Sequence, residues 1–335
     1  MSLTDVLAER SLPPLPEPLA SPCIDSHTHL DTVEEFTGLA PETSLHLAAE
    51  VGITRLVQIG CDVAGSRFAE QFARSHDGVV AAVAIHPNDA ADLAARSRSE
   101  LDEALATIDE LAAAGPHVRA IGETGIDHWG TEEPGWQVQR EVFAAHVRMA
   151  HEHHCTLAIH DREGHDDVLH ILDQEGWPER VIMHCFSGGA DLARECVRHG
   201  AWLSFPGVLT FKNAERTRQA LHATPVDKIL VETDAPFLTP HPYRGRPNAP
   251  YLAVQTARWI AEHLETPLEQ LCEQLVSPVA VKQTTKLSAR ELDVLACVAQ
   301  GKTNIETGQI MGIGAETVKS YLRSVMRKLG AHTRY

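Results

Sequence analysis

Eight short aliphatic runs, residues 23–27, 53–60, 79–86, 118–123, 155–160, 180–185, 201–206 and 228–234, alternate with stretches whose apolar residues recur every three or four positions. Continuous apolar runs mark strands buried on both faces, the habit of parallel α/β sheets. Eight such units over about 250 residues match the size of a (β/α)8 barrel. The polar residues narrow the choice. Asp25, His27, His29, His86, Glu123, His160, His184 and Asp234 all fall at or just past the C-terminal end of a run. In a closed barrel those ends meet at one mouth, whereas an open doubly wound sheet brings only two or three within reach of each other. The expectation is therefore α/β, a (β/α)8 TIM barrel.

In "CIDSHTHLD", Asp25, His27 and His29 are two apart, so an extended chain sends all three side chains from one face. Burying that many titratable groups costs several kcal/mol unless something compensates, and a metal ion does so. Imidazoles and carboxylates without thiolates suit Mg, Mn or Zn in a site left open to water or substrate. The first lysine in the chain is Lys212. A carboxylated lysine on a mid-barrel strand therefore cannot join two ions, and Glu123 is the acid at the right strand end.

The seven cysteines are scattered and form no C-x-x-C pair, which predicts reduced thiols and a cytoplasmic protein. No apolar segment is long enough to span a bilayer, so no membrane partner is expected. Residues 1–21 read as a proline-rich, loosely held tail. Charge divides the remainder. From Thr285 onward eight Lys/Arg stand against four acids, while the rest of the chain carries 21 bases and 42 acids. The expected organisation is a barrel over 22–281, a junction at 282–286 and a small basic helical module over 287–335.

The motifs "DSHTHLD", "AIHPNDA", "IGETGIDHW", "IHDREGHDDVLHIL", "MHCFSGG" and "VETDAPFLTPHPYRGRPNAPYL", in this order over about residues 22–275, resemble the TatD-type metal-dependent deoxyribonucleases, a branch of the amidohydrolase barrels. The resemblance implies a divalent-metal-dependent hydrolase that cleaves DNA phosphodiesters, in the manner of a 3′ to 5′ exonuclease, by a two-metal mechanism with Mg as the first choice of ion. It assigns His27 and His29 to one ion and His160 and His184 to the other, with Glu123 bridging. Asp234 would bind the first ion or its water and act as general base. Asp25 and Glu232 would orient the imidazoles, and His86 would face substrate. Arg244 and Arg246 are candidates for holding phosphate, and Trp129 or Phe205 for stacking an unpaired base. A strongly acidic barrel repels nucleic acid, so the expected DNA partner is single-stranded or a 3′ end rather than long duplex. Two alternatives stay open: a DNA-binding regulator with a non-catalytic barrel, and a hydrolase of small phosphoesters or of carboxylic esters and amides.

After residue 287 the pattern changes. Ser288 and Glu291 stand at capping-box spacing before Leu292, Leu295 and Val298. Further helices are expected over about 303–311 and 315–329, joined by "MGIG". This all-α module resembles a LuxR-type helix-turn-helix. The resemblance implies that the third helix enters the major groove, with Thr317, Lys319, Ser320 and Arg323 near bases or phosphates. Gly314 stands where such modules usually carry a serine cap, and no fourth helix follows, so the module is expected to be incomplete.

Overall fold

A computed structural model describes residues 3–276 and, further on, 290, 294, 295, 297, 298, 302–315, 317–319, 321, 322 and 325. Contacts divide the chain into two units, 1–276 and 277–335. The predicted junction at 282–286, the capping pair Ser288 and Glu291, and the predicted DNA-contacting Ser320 and Arg323 lie outside the described residues.

The first unit holds eight parallel strands in sequential order: β1 Cys23–Thr28, β2 Ile53–Ile59, β3 Val79–Val83, β4 Val118–Asp127, β5 Thr156–Arg162, β6 Val181–Met183, β7 Trp202–Phe205 and β8 Ile229–Val231. Each corresponds to one of the eight aliphatic runs. Helices cross between them, and their starts follow from local chemistry. Asp62 accepts from the Gly65 amide at the head of Val63–Ser75, and Ser97 accepts from Glu100 at the head of Arg98–Ala112. Their apolar faces pack on the strands in one large core, with Leu56, Ile121, Leu157 and Leu203 at 1% exposure or less, while Ile59, Ala82 and Ala120 form a separate small cluster. Each such side chain contributes about 1.5–3 kcal/mol on burial.

Neighbouring strands from β1 to β8 are joined by parallel ladders, with register shifts in β1–β2, β3–β4 and β4–β5, but β8 meets β1 differently. One bridge links Thr28 with Ala235, just past β8. Around it the Asp234 amide donates to the His27 carbonyl (2.9 Å) and the His29 amide to Ala235 (3.0 Å). Side chains complete the closure: Asp25 accepts from the Thr233 amide and hydroxyl, and the Ser26 hydroxyl donates to the Val231 carbonyl (3.0 Å).

The N-terminal segment corrects the sequence expectation of a loose tail. Leu7 and Leu12 are buried, and the Leu19 amide bonds to Val51 (3.0 Å). The carbonyls of Ser11 and Leu12 accept from Arg246, that of Pro13 from the Tyr251 hydroxyl (2.6 Å), and that of Glu17 from Arg258 (2.6 Å). Prolines lack amides but keep their carbonyls, so a proline-rich strap can be held largely through its acceptors.

In the second unit, Asn304–Met311 is a helix that starts on a capping box between Thr303 and Glu306 and ends at Gly312 in the left-handed region. Val294, Val298, Val318 and Leu322 form its core, with Met311, Ile313 and Tyr321 packed against them. Thr317 and Lys319 are exposed. Among the described residues no helix is long and apolar enough to cross a membrane.

Candidate metal centre

The C-terminal ends of β1, β4, β5, β6 and β8 bring His27, His29, Glu123, His160, His184 and Asp234 together. Glycine makes one approach possible. At Gly125, with φ of 145°, an added Cβ would stand 2.0 Å from the His160 carbonyl oxygen, so only glycine lets β4 lie this close to β5. Asp234 sits at φ 55°, in a left-handed conformation that Asp tolerates better than most residues, and its amide bond to His27 holds the turn.

The separations fall into two groups around Glu123. Glu123 Oε1 lies 3.5 Å from Nε2 of both His27 and His29, and Asp234 Oδ1 lies 3.7 and 3.4 Å from the same two nitrogens. Glu123 Oε2 lies 3.0 Å from His160 Nδ1 and 3.3 Å from His184 Nε2. Donors about 2.1 Å from a zinc-sized ion at tetrahedral angles lie about 3.4 Å from one another. Most of these contacts are long for hydrogen bonds and right for the edges of a coordination shell. His27 Nε2 is buried and has no hydrogen-bond partner, as expected of a nitrogen whose partner is a cation. The residues therefore suit metal binding: among the described residues His27, His29 and Glu123 offer donor atoms close enough together to hold an ion, and so do His86, Glu123 and His160.

Charge completes the account. Burial works against ionising Glu123, yet His184, His27 and His160 hold its pKa well below the usual range. Burial and the neighbouring His184 keep His27 neutral. Burial also disfavours charge on His160, but Asp127 and Glu123 outweigh it and push its pKa up to about 9. His184 is raised by Glu232 and Glu123, and His29 by Asp234, in both cases against burial. Burial opposes ionisation of Asp234 as well, but the bond from His29 keeps its pKa below the ordinary value.

Around the donors stand supporting groups. Glu232 lies 3.1 Å from His184 Nδ1 and accepts from the Cys185 amide (2.9 Å). His86 Nδ1 accepts from the Asn88 amide (3.2 Å), so the neutral ring carries its proton on Nε2. Burial, then His160, lowers its pKa to about 3. Its ring lies 4.6 Å from that of His160.

Several expected positions differ. Asp25 orients no imidazole side chain: it accepts from Thr233 and from the His27 amide, and these donors favour its ionised form although burial pushes its pKa up to about 8. Arg246 is spent on the carbonyls of Ser11 and Leu12, and Arg244 packs on the Phe211 ring (4.4 Å). Phe205 is fully buried against Phe186 and can stack no base. Trp129 is 65% exposed, with the Arg162 guanidinium 3.7 Å from its ring centre.

Three residues at the centre escaped the sequence reading. Asp127 lies 3.3 Å from His160 Nε2 and is itself held by Asn88 and the Gly130 amide. Arg162 lines a cavity of about 500 Å³ together with His160, His184 and Asp234. Cys61 places its thiol 3.4 Å from Glu123. Burial, then Glu123, raises that thiol's pKa well above its ordinary value and keeps it protonated. A signal existed for the first two: Asp127 and Arg162 share strand parity with Glu123 and His160.

Residues 24–280 match the family model for TatD related DNase, and residues 285–335 match that for bacterial regulatory proteins of the luxR family. An uncharacterized metal-dependent hydrolase TatD of Mycobacterium tuberculosis is 41% identical over 245 residues, covering 71% of this chain and 89% of its own. The HTH-type transcriptional activator RamA of Corynebacterium glutamicum is 77% identical over 74 residues, 22% of this chain and 26% of its own. Among solved structures, the TatD homolog YjjV of Escherichia coli superposes with a TM-score of 0.68 at 24% identity, over 76% of this chain and 94% of its own.

Proposed function

Because this chain belongs to the TatD-related DNase family, and so is a metal-dependent hydrolase, we propose that its barrel mouth binds two divalent cations and cleaves DNA phosphodiesters from single-stranded or 3′ ends. The observation that carries this reading is the division of the Glu123 carboxylate, one oxygen toward His27 and His29, the other toward His160 and His184. His27, His29, Glu123 and Asp234 would hold one ion and Glu123, His160 and His184 the other, with Mg or Mn preferred for phosphoryl chemistry and Zn also suited to the imidazoles. Such ions supply Lewis-acid polarisation of a phosphoryl oxygen and activation of water.

The protein's own groups do the rest. Asp234, ionised and facing the cavity, accepts the proton of the attacking water. His86 offers a neutral Nε2–H to a phosphoryl oxygen, because the Asn88 amide occupies its other nitrogen. Arg162, fixed against Trp129, supplies a guanidinium for a flanking phosphate in an otherwise acidic body. Glu232 holds His184 in the tautomer that aims Nε2 inward, and Asp127 places a carboxylate 3.3 Å from His160 Nε2, behind the Nδ1 that faces Glu123. The LuxR-type unit would bind duplex DNA separately, through the helix that carries Thr317 and Lys319.

The test is reconstitution. EDTA-treated protein should regain hydrolysis of a 5′-labelled single-stranded oligonucleotide with Mg or Mn, and anomalous scattering should show two ions sharing Glu123. Restored turnover of a carboxylic ester reporter with none of the oligonucleotide would move the activity to acyl chemistry. Retardation of duplex DNA without any hydrolysis would favour the regulator.

A further inference from the structure

Large hydrophobic side chains that face solvent are few among the described residues: Phe36, Trp129 and Phe237 in the first unit, Ile305 and Ile310 in the second. The three aromatics all follow strands at the mouth. Phe36 lies on the helix Leu30–Thr37 directly after β1, and Phe237 lies three residues beyond Asp234. The two rings meet edge to face, with centroids 5.7 Å apart and planes at 81°, although they are 60% and 45% exposed. An exposed aromatic pair keeps flat apolar surface in water, which favours its use by a ligand. Phe237 also lines the cavity that holds His160, His184 and Asp234, and its amide donates to the Asp234 carbonyl (2.9 Å). The turn that positions the carboxylate therefore positions the ring.

We propose that Phe36 and Phe237 form a stacking wall that receives an unpaired nucleobase adjacent to the phosphate held at the donor cluster. The occupant follows from the chemistry on either side. Arg162 stands on the same cavity as Phe237 and provides a cation for phosphate, while the wall provides a flat apolar face. A ligand that alternates anionic and planar aromatic groups satisfies both, and single-stranded nucleic acid is such a polymer. A duplex keeps its base faces stacked internally and cannot use the wall. The two rings touch edge to face, so the pair acts as one surface, and Phe237, which lines the cavity, is its contacting member. This inference rests on the phosphodiesterase reading above and narrows it to unpaired strands.

The experiment uses the full-length protein with trithymidylate, too short to present the groove that a helix-turn-helix reads. Affinity is measured by calorimetry in calcium, and hydrolysis is followed separately in manganese. Phe237→Ala should weaken trithymidylate about tenfold, Phe237→Trp should stay within about twofold of the parent, and Phe237→Leu should not restore binding. Trimers with one base deleted at a time should include one that the parent binds about tenfold more weakly but that Phe237→Ala binds no worse than the intact trimer. Losses that multiply at every position, full rescue by Leu, or no trimer binding at all would overturn the stacking wall. The predicted binding pattern without cleavage in manganese would uphold the wall and sink the nuclease reading. Cleavage without that pattern would do the reverse.

Discussion

Glu232 and Asp234 at one end of the segment 231–250, and Arg244 and Arg246 at the other, carry equally suitable groups for a phosphodiesterase, yet they end in different places. The two acids are held by backbone tied to other strands: Thr233 by Asp25, Asp234 by His27. Their side chains point at His184 and His29. The two arginines sit in a loop, and one reaches carbonyls of the N-terminal strap while the other lies on Phe211. A ladder fixes where a strand-end side chain aims. A loop leaves a long cation to settle on acceptors that lie anywhere in the sequence.

The largest effect should come from the strand-end side. Glu123→Ala removes a donor from both groups, and kcat/KM on DNA should fall by at least about a thousandfold, while circular dichroism shows the barrel intact. Activity within tenfold of the parent would mean that the two groups need no shared carboxylate. Asp127→Asn tests the support behind one group only. It should weaken one ion by about 10–100-fold in a chelator competition and leave the other unchanged, and equal weakening of both would merge the groups.

The raised pKa values of His160, His29 and His184 give the pH dependence its sign. In the ion-free protein these rings hold protons below their raised pKa values, about 9 for His160, and an incoming cation must displace them. Ion affinity should therefore rise with pH, by up to about tenfold per pH unit for each proton displaced. Calorimetry in buffers of different ionisation enthalpy should show proton release, and a flat profile between about pH 6 and 8 would mean the rings are already neutral.

The loop side should respond in stability rather than rate. Arg246→Ala should cost about 1–2 kcal/mol in a denaturant titration through lost bonds to the strap, with kcat little changed. Arg244→Ala should be smallest, within about 0.5 kcal/mol and silent in kinetics. A tenfold rise in KM for Arg244→Ala would erase the contrast and return that arginine to the substrate.

The same contrast explains what could be read from the sequence. All eight strands, and the meeting of His27, His29, Glu123, His160, His184 and Asp234 at one rim, follow from aliphatic runs and from what stands at their ends, because burial and period-2 geometry act locally. Asp127 and Arg162 were missed although they obey the same parity, since β4 and β5 run past the aliphatic segment into polar residues. The resemblance implies that Asp25 orients an imidazole, but its side chain bonds across the β8–β1 seam to Thr233. The N-terminal strap is the clearest failure: its partners Arg246, Tyr251 and Arg258 lie more than 230 positions away, and no local pattern marks a carbonyl that will be used.

The closure between β8 and β1 has a mechanical outcome. Every other joint in the wall is a ladder, but this one is stitched by a single bridge and the side chains of Asp25 and Ser26, beside Asp234. This sparsely laddered joint borders the proposed seat of the ion held by His27, His29, Glu123 and Asp234, so under that proposal breathing of the wall and grip on the cation would become one equilibrium. Amide hydrogen exchange at residues 233–235 should slow sharply when the seat is filled, making that seam a built-in gauge of occupancy.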